Sequence, residues 1–276
     1  MDIADRQARA QALARTYGGE RDGWERLIEY QRALEWHGTH PNKGSSAAAS
    51  ALDLPRSRLR PWFDGSKPDP VHAVDTAEKH GWLDTQPGER IFEALSVLHA
   101  WIYAGGSIEQ TNYVPTFAVG PDDPQDLAVE ALQAVGLQAS VGREDESRRA
   151  TEVRPAGPGG THLGRFLHGV IGAPIGPKTE RSAVELPSWL FDAGASTRVR
   201  WARTYVTLRG VRLDEVRHGY AIQLYEARSR AFQQQLYDLF AGVAPAESVT
   251  LAERGVLLRP TAAREFDVVP PLPTER

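Results

Sequence analysis

Cysteine is absent from this 276-residue chain. That removes disulfides, thiolate zinc sites and thiol nucleophiles together. No apolar run approaches the roughly 20 residues that a bilayer-spanning helix needs. The charged start "MDIADRQARAQALART" has no apolar stretch of the kind that marks a secretory signal. A cytoplasmic protein with no membrane partner is expected. An excess of one charge is missing too, since 32 Lys+Arg stand against 36 Asp+Glu, a formal net charge of -4. A nucleic-acid surface must then be a local basic face, offset by acid elsewhere. What the chain does have is 41% hydrophobic and 25% charged residues, ordinary for a globular protein, and length enough for two compact domains.

The first part, residues 1–86, reads as helical. "GWERLIEYQRALEW" places Trp24, Leu27, Ile28 and Leu34 on one face of a helix. "THPNKGSS" breaks it, and Ser45 or Ser46 is expected to cap the next helix. Pro87 and Gly88 in "DTQPGER" (84–90) mark a domain boundary. Beyond it the pattern changes. A helix over 89–104 leads to extended "SIEQT" and "YVPTFAVG", then a helix "DPQDLAVEALQAVG", extended "LQASVGRE" and "RATEVRP", and a closing helix "THLGRFLHGVIG". The same order returns from "TRVRWARTYVTLRG" through "VRLDEVR", "YAIQLYEA", "RAFQQQLYDLFAGV", "SVTLAER" and "VLLRP". Repetition of a whole supersecondary unit predicts two similar halves, about 89–195 and 196–268, each with a four-stranded antiparallel sheet. The proline-rich end, 269–276, reads as a flexible tail.

Two stretches carry resemblances. "SSAAASALDLPRSRLRPWFDGSKP" (45–68) resembles a helix-turn-helix, with small Ala48 and Ala49 at the helix contact, Leu52, Leu54, Leu59 and Trp62 as its apolar positions, and "DLP" as the turn. The second helix would offer Arg56, Ser57, Arg58 and Arg60 to a major groove. Pro61 within that helix predicts that it is short or kinked. "LHAWIYAGG" (98–106), its degenerate partner "ARTYVTLRG" (202–210) and the segment "HLGRFLHGVIGAPIGPKTERSAVELPSWL" between them resemble the LAGLIDADG homing-endonuclease family, over about residues 90–265. The combination is similar to that of the bacterial WhiA-type regulators, with the domain order reversed. The fold this implies is α+β: an N-terminal all-α helix-turn-helix domain (1–86), then a pseudo-two-fold LAGLIDADG-like domain (87–268) of two αββαββα repeats.

In that family each motif helix ends on an acid, and the two carboxylates hold a divalent cation against the scissile phosphates. Here those positions are Gly105 and Arg209, and the other acidic letter of the motif is Tyr103 or Thr207. The resemblance therefore implies a DNA saddle without catalytic residues, metal or cofactor. It places Lys178 near the central phosphates. On the strand faces it offers Gln110, Asn112, Arg143, Arg148, Arg149 and Arg154 in the first half, and Arg212, Arg217, Gln223, Tyr225 and Arg228 in the second. Arginine and amide side chains at alternating strand positions suit base and phosphate contacts.

Other signals fall away. "GAPIGPKT" (172–179) is one residue short of a P-loop, and Pro177 removes a backbone donor that the phosphate cradle needs. The pairs His37/His40 and His162/His168 lack a third ligand. The expectation is a non-catalytic, sequence-specific double-stranded DNA-binding protein, a nucleoid-associated transcriptional regulator. Its rivals are an endonuclease or nickase using the displaced acids Glu109, Asp214 and Glu215, an RNA-binding splicing helper, and an interaction module whose basic face is incidental. Target site, direction of regulation, homodimer formation and contact with the transcription machinery stay open.

Overall fold

The computed structural model describes residues 5–19, 21–143, 150–176, 178, 184–213 and 219–266. Within them the chain is α+β, with helices on two small antiparallel sheets. The first five helices are α1 (Arg6–Arg15), α2 (Gly23–Thr39), α3 (Ser45–Leu52), α4 (Arg56–Phe63) and α5 (Asp69–Lys79). Asp5 and Asp22 cap α1 and α2 by accepting the Gln7 and Trp24 amides. The cap expected of Ser45 or Ser46 is not made: Gly44 holds the cap position and Ser45 is already helical. Asp53, in the left-handed region at φ 54°, ends α3 and opens the short turn into α4. Ala48, Leu54, Leu59 and Trp62 are buried there against Leu27, Tyr30 and Ala33 of α2, with Tyr30 edge-on to Trp62 at 5.5 Å. Pro61 leaves α4 at two turns.

The second region opens with α6 (Arg90–Ala104), one residue later than expected, because Glu89 instead turns its carboxylate to the Gln86 amide and the Thr85 hydroxyl. It continues through β1 (Ser107–Ile108), β2 (Pro115–Val119), α7 (Gln125–Ala134), β3 (Ala139–Gly142), β4 (Thr151–Pro155) and α8 (Gly159–Gly169). After the short α9 (Ser188–Asp192) come α10 (Ala195–Arg209), β5 (Gly210–Arg212), β6 (Ile222–Tyr225), α11 (Arg230–Ala241), β7 (Val249–Ala252), β8 (Gly255–Leu258) and α12 (Pro260–Phe266). The first sheet has the order β1-β2-β4-β3 and the second β5-β6-β8-β7. The two runs thus share element order and strand order, and α12 supplies a closing helix for the second. The predicted strands are shorter than their apolar patterns, and 144–149 and 214–218, with the tail 269–276, lie outside the described residues.

The stretch leading into the expected boundary at 84–90 is packed. Trp82 and Leu83 are buried, and the Trp82 indole donates to the Val135 carbonyl at 2.9 Å. Arg9, 1% exposed, donates to the carbonyls of Trp82, Leu83 and Thr85 at 3.1, 3.1 and 2.6 Å. On the other side the Arg165 guanidinium lies between the Tyr17 and Tyr113 rings, 3.9 and 3.8 Å from their centroids, and donates to the Thr16 carbonyl. The helical region is therefore fastened to α8 and to the stretch before β2.

The glycine pair after α6 has two different causes. A Cβ on Gly106 would stand 2.8 Å from the Thr116 carbonyl oxygen and 3.2 Å from that of Trp101, whereas one on Gly105 would meet nothing within 4 Å. Gly210, directly after α10, is as crowded, with the Val206 carbonyl oxygen 2.6 Å from its would-be Cβ. At both places the end of the helix and the second strand of the sheet come too close for a side chain. Gly106→Ala should accordingly cost about 1–3 kcal/mol of stability in urea unfolding, while Gly105→Ala stays within about 0.5 kcal/mol of wild type. Equal losses for the two variants would contradict this account.

Candidate nucleic-acid interface

Every residue of α6 from Phe92 to Ala104 is buried, so the helix tolerates no unpartnered charge. It runs parallel to α10. Near their starts, Glu93 accepts from Gly88, from the Thr197 hydroxyl and from Arg200, the last at 2.9 Å. Midway, the Trp201 indole donates to His99 Nδ1 at 2.8 Å. Burial pushes His99 down to about 3, so the ring is neutral, and its proton sits on Nε2 because an indole can only donate. Further along, Trp201 meets Tyr103 edge-on at 5.8 Å and stacks on Tyr205 at 5.3 Å.

Parallel packing brings the two C-terminal ends together, and cations gather there. Lys178 Nζ donates to the Ile102 and Gly106 carbonyls, and Arg228 Nη2 to that of Tyr103. Arg209, the last residue of α10, is exposed and reaches the Tyr225 carbonyl at 3.4 Å. Beneath them Glu226 accepts the Tyr205 hydroxyl at 2.6 Å and stands 3.6 Å from Arg228 Nε. Burial, and then the positive fields of Arg228 and Arg209, push Lys178 down to about 7, with Glu226 opposing. Burial also raises the Tyr103 and Tyr205 phenols, which stay protonated. Lys178 and Arg228 thus share the field of one buried carboxylate, and among the described residues Arg228 Nη1 is buried without a hydrogen-bond partner.

The register sorts the strand candidates. On the first sheet Arg154, opposite Ser140, shares the solvent face with Glu152, opposite Gly142. Glu152 binds Arg154 at 2.6 Å and also Arg143, which follows β3 with φ 65°. On the second sheet Val211, Gln223, Leu257 and Thr250 form one cross-strand row, and Tyr225 lies on the same face. Arg212 is opposite Ile222, whose side chain is buried, so it belongs to the other face. There it lines a cavity of about 430 Å³ with Asp122, Thr207 and Phe266. The expectation that Arg212 and Arg228 stand beside Gln223 and Tyr225 is therefore corrected. Strand alternation turns Arg212 away, and the α6 carbonyl with Glu226 draws Arg228 inward. Gln110 lies against Gly176, and Asn112 accepts from the Val114 amide. Arg148, Arg149 and Arg217, like the acids Asp214 and Glu215, lie outside the described residues.

On α4, Arg56 and Ser57 are exposed, with Arg56 Nε 3.5 Å from the Ser45 hydroxyl. Arg60 is exposed and 3.9 Å from Asp64. Arg58 is partly buried and ion-paired with Glu29 of α2, which also binds Arg21. It thus braces α4 against α2. Sequence reasoning missed Glu226, whose "LYEAR" setting, two residues before an arginine at a strand end, was the available signal. Among the described residues no three His, Asp or Glu side chains come together to hold a metal ion. No family model matches the chain, and no curated protein or solved structure shows significant similarity to it.

A lysine at about 7 when folded and at its ordinary 10.5 when unfolded binds fewer protons folded than unfolded between those values. Its penalty is therefore complete below about pH 7 and fades as pH rises toward the unfolded value. Take the unfolding free energy of the wild type minus that of Lys178→Met. It should be flat from about pH 6 to 7 and then rise, by no more than about 1.4 kcal/mol per unit. A difference that stays flat up to about pH 10 would mean that Lys178 is held charged.

Proposed function

We propose that the chain is a non-catalytic, sequence-specific double-stranded DNA-binding protein acting in transcriptional regulation. Its body is a pair of degenerate LAGLIDADG-like half-domains about a pseudo-two-fold axis, and its N-terminal region is a helix-turn-helix. One observation carries the reading. Lys178, Arg209 and Arg228 converge at the paired ends of α6 and α10, where the family places two metal-holding carboxylates. Gly105 has no side chain and Arg209 repels metal, so this end attracts phosphate directly rather than through a cation. The shared strand order of the two sheets supports the half-domain plan, and Arg56, Ser57 and Arg60 on one exposed side of α4 support the second surface.

Selection of bound fragments from a genomic duplex library tests the reading, with Mg²⁺ cleavage assayed on the fragments recovered. A recovered motif without cutting is expected. Metal-dependent cutting that is lost in Glu109→Ala or Asp214→Ala would replace the regulator with an endonuclease. Arg209→Ala should weaken binding across sequences at low salt and lower the slope of log K against log salt by about 1. An unchanged slope would remove the saddle centre from the interface. Arg56→Ala should cost on the order of 1–3 kcal/mol on the specific site and less on random duplex. Arg58→Ala should instead lower stability, because it leaves Glu29 short of a partner.

A further inference from the structure

The two sheets present different chemistry at equivalent places. Ser107, the residue after crowded Gly106, pairs with Thr116 of β2, and on the same face Arg154 pairs with Ser140. The matching row of the second sheet begins at Val211, the residue after crowded Gly210, and continues through Gln223 and Leu257 to Thr250. One row is hydroxyls with a single arginine. The other is an amide flanked by aliphatic side chains. Val211 and Tyr225 are 51% and 52% exposed, and large apolar groups so exposed are few among the described residues, the other being Leu34. An apolar side chain left in water on a strand face, next to a polar one, needs a reason beyond folding.

Resting on the DNA reading above, we propose that the target is asymmetric, with A·T pairs under the second sheet and a G·C pair under the first. An amide can bond adenine N6 and N7 together, and an aliphatic group beside it covers the C5 methyl of the paired thymine. Gln223 takes the first role, and Val211 and Leu257, directly opposite it on either side, take the second. Tyr225 extends the apolar surface by one row. In the first sheet Arg154 has the donors for guanine O6 and N7, and Glu152 holds it in place. With serines at Ser107 and Ser140, that row has only the Thr116 methyl to offer, a smaller apolar surface than Val211 and Leu257 make on the second sheet.

The test uses the full chain and a randomised duplex pool. The recovered motif should have one arm rich in A·T and one in G·C. Replacing the thymines of the A·T arm by deoxyuracil removes only the C5 methyl, and should weaken wild-type binding about four-fold per contacted methyl. Val211→Ser should narrow the difference between the thymine and deoxyuracil duplexes by about four-fold, the share of one methyl, and Gln223→Ala should lose about 5- to 150-fold of its preference for A·T at one position. Both substitutions are on the solvent face, and unchanged melting temperatures will show that the fold is kept. Recovery of a motif with arms of equal composition, or no effect of deoxyuracil, overturns this inference and leaves the DNA reading standing. Recovery of no duplex, or capture of single-stranded RNA alone, overturns the DNA reading itself.

Discussion

Two helices laid parallel determine most of what this molecule can do. Each helix carries a partial negative charge at its C-terminus, and parallel packing sets the ends of α6 and α10 side by side. That arrangement calls for positive charge. Metal ions held by carboxylates are one answer, and basic side chains on the helix-end carbonyls are another. Lys178 and Arg228 give the second answer on Ile102, Tyr103 and Gly106. The same side chains tie Lys178 and the end of β6 to the end of α6. On the proposed DNA reading, a phosphate would answer the same electrostatic demand.

The seam between the helices also explains the absence of charge in "LHAWIYAGG". Any ion in α6 must bring its partner, as Glu93 does with Arg200 and Thr197. Aromatic packing fills the remainder, and its imidazole, His99, is kept neutral by burial. Because the helices share a direction, the sheet that follows each one starts at the same end of the body. Gly106 and Gly210 let the second strand of each sheet come close to the end of its helix.

Element order was legible from the sequence because it rests on local periodicity and on Gly and Pro breaks, which α6 through α8 and α10 through β8 follow. Boundaries were less so, as with the caps of α3 and α6, where neighbouring turns decide which residue goes first. Side-chain destinations were hardest. Alternation along a strand does not say which face is solvent, so Arg212 and Gln223 looked alike until the register separated them. Arg58 and Arg228 read as exposed cations, yet each has a carboxylate waiting on another element or two residues away: Glu29 of α2 and Glu226 at the end of β6. Long-range pairing of that kind leaves no periodic trace.

The Pro and Gly of "DTQPGER" mark a boundary between two regions, and the boundary is a packed one. With Trp82 and Leu83 buried, Arg9 tied to three carbonyls and Arg165 clasped by two rings, α5 passes into α6 without slack. If both proposed surfaces bind DNA, they cannot search independently, because protein geometry sets their separation. On that proposal affinity would depend on how well the target's spacing matches, as that of a long duplex with a fixed helical repeat can.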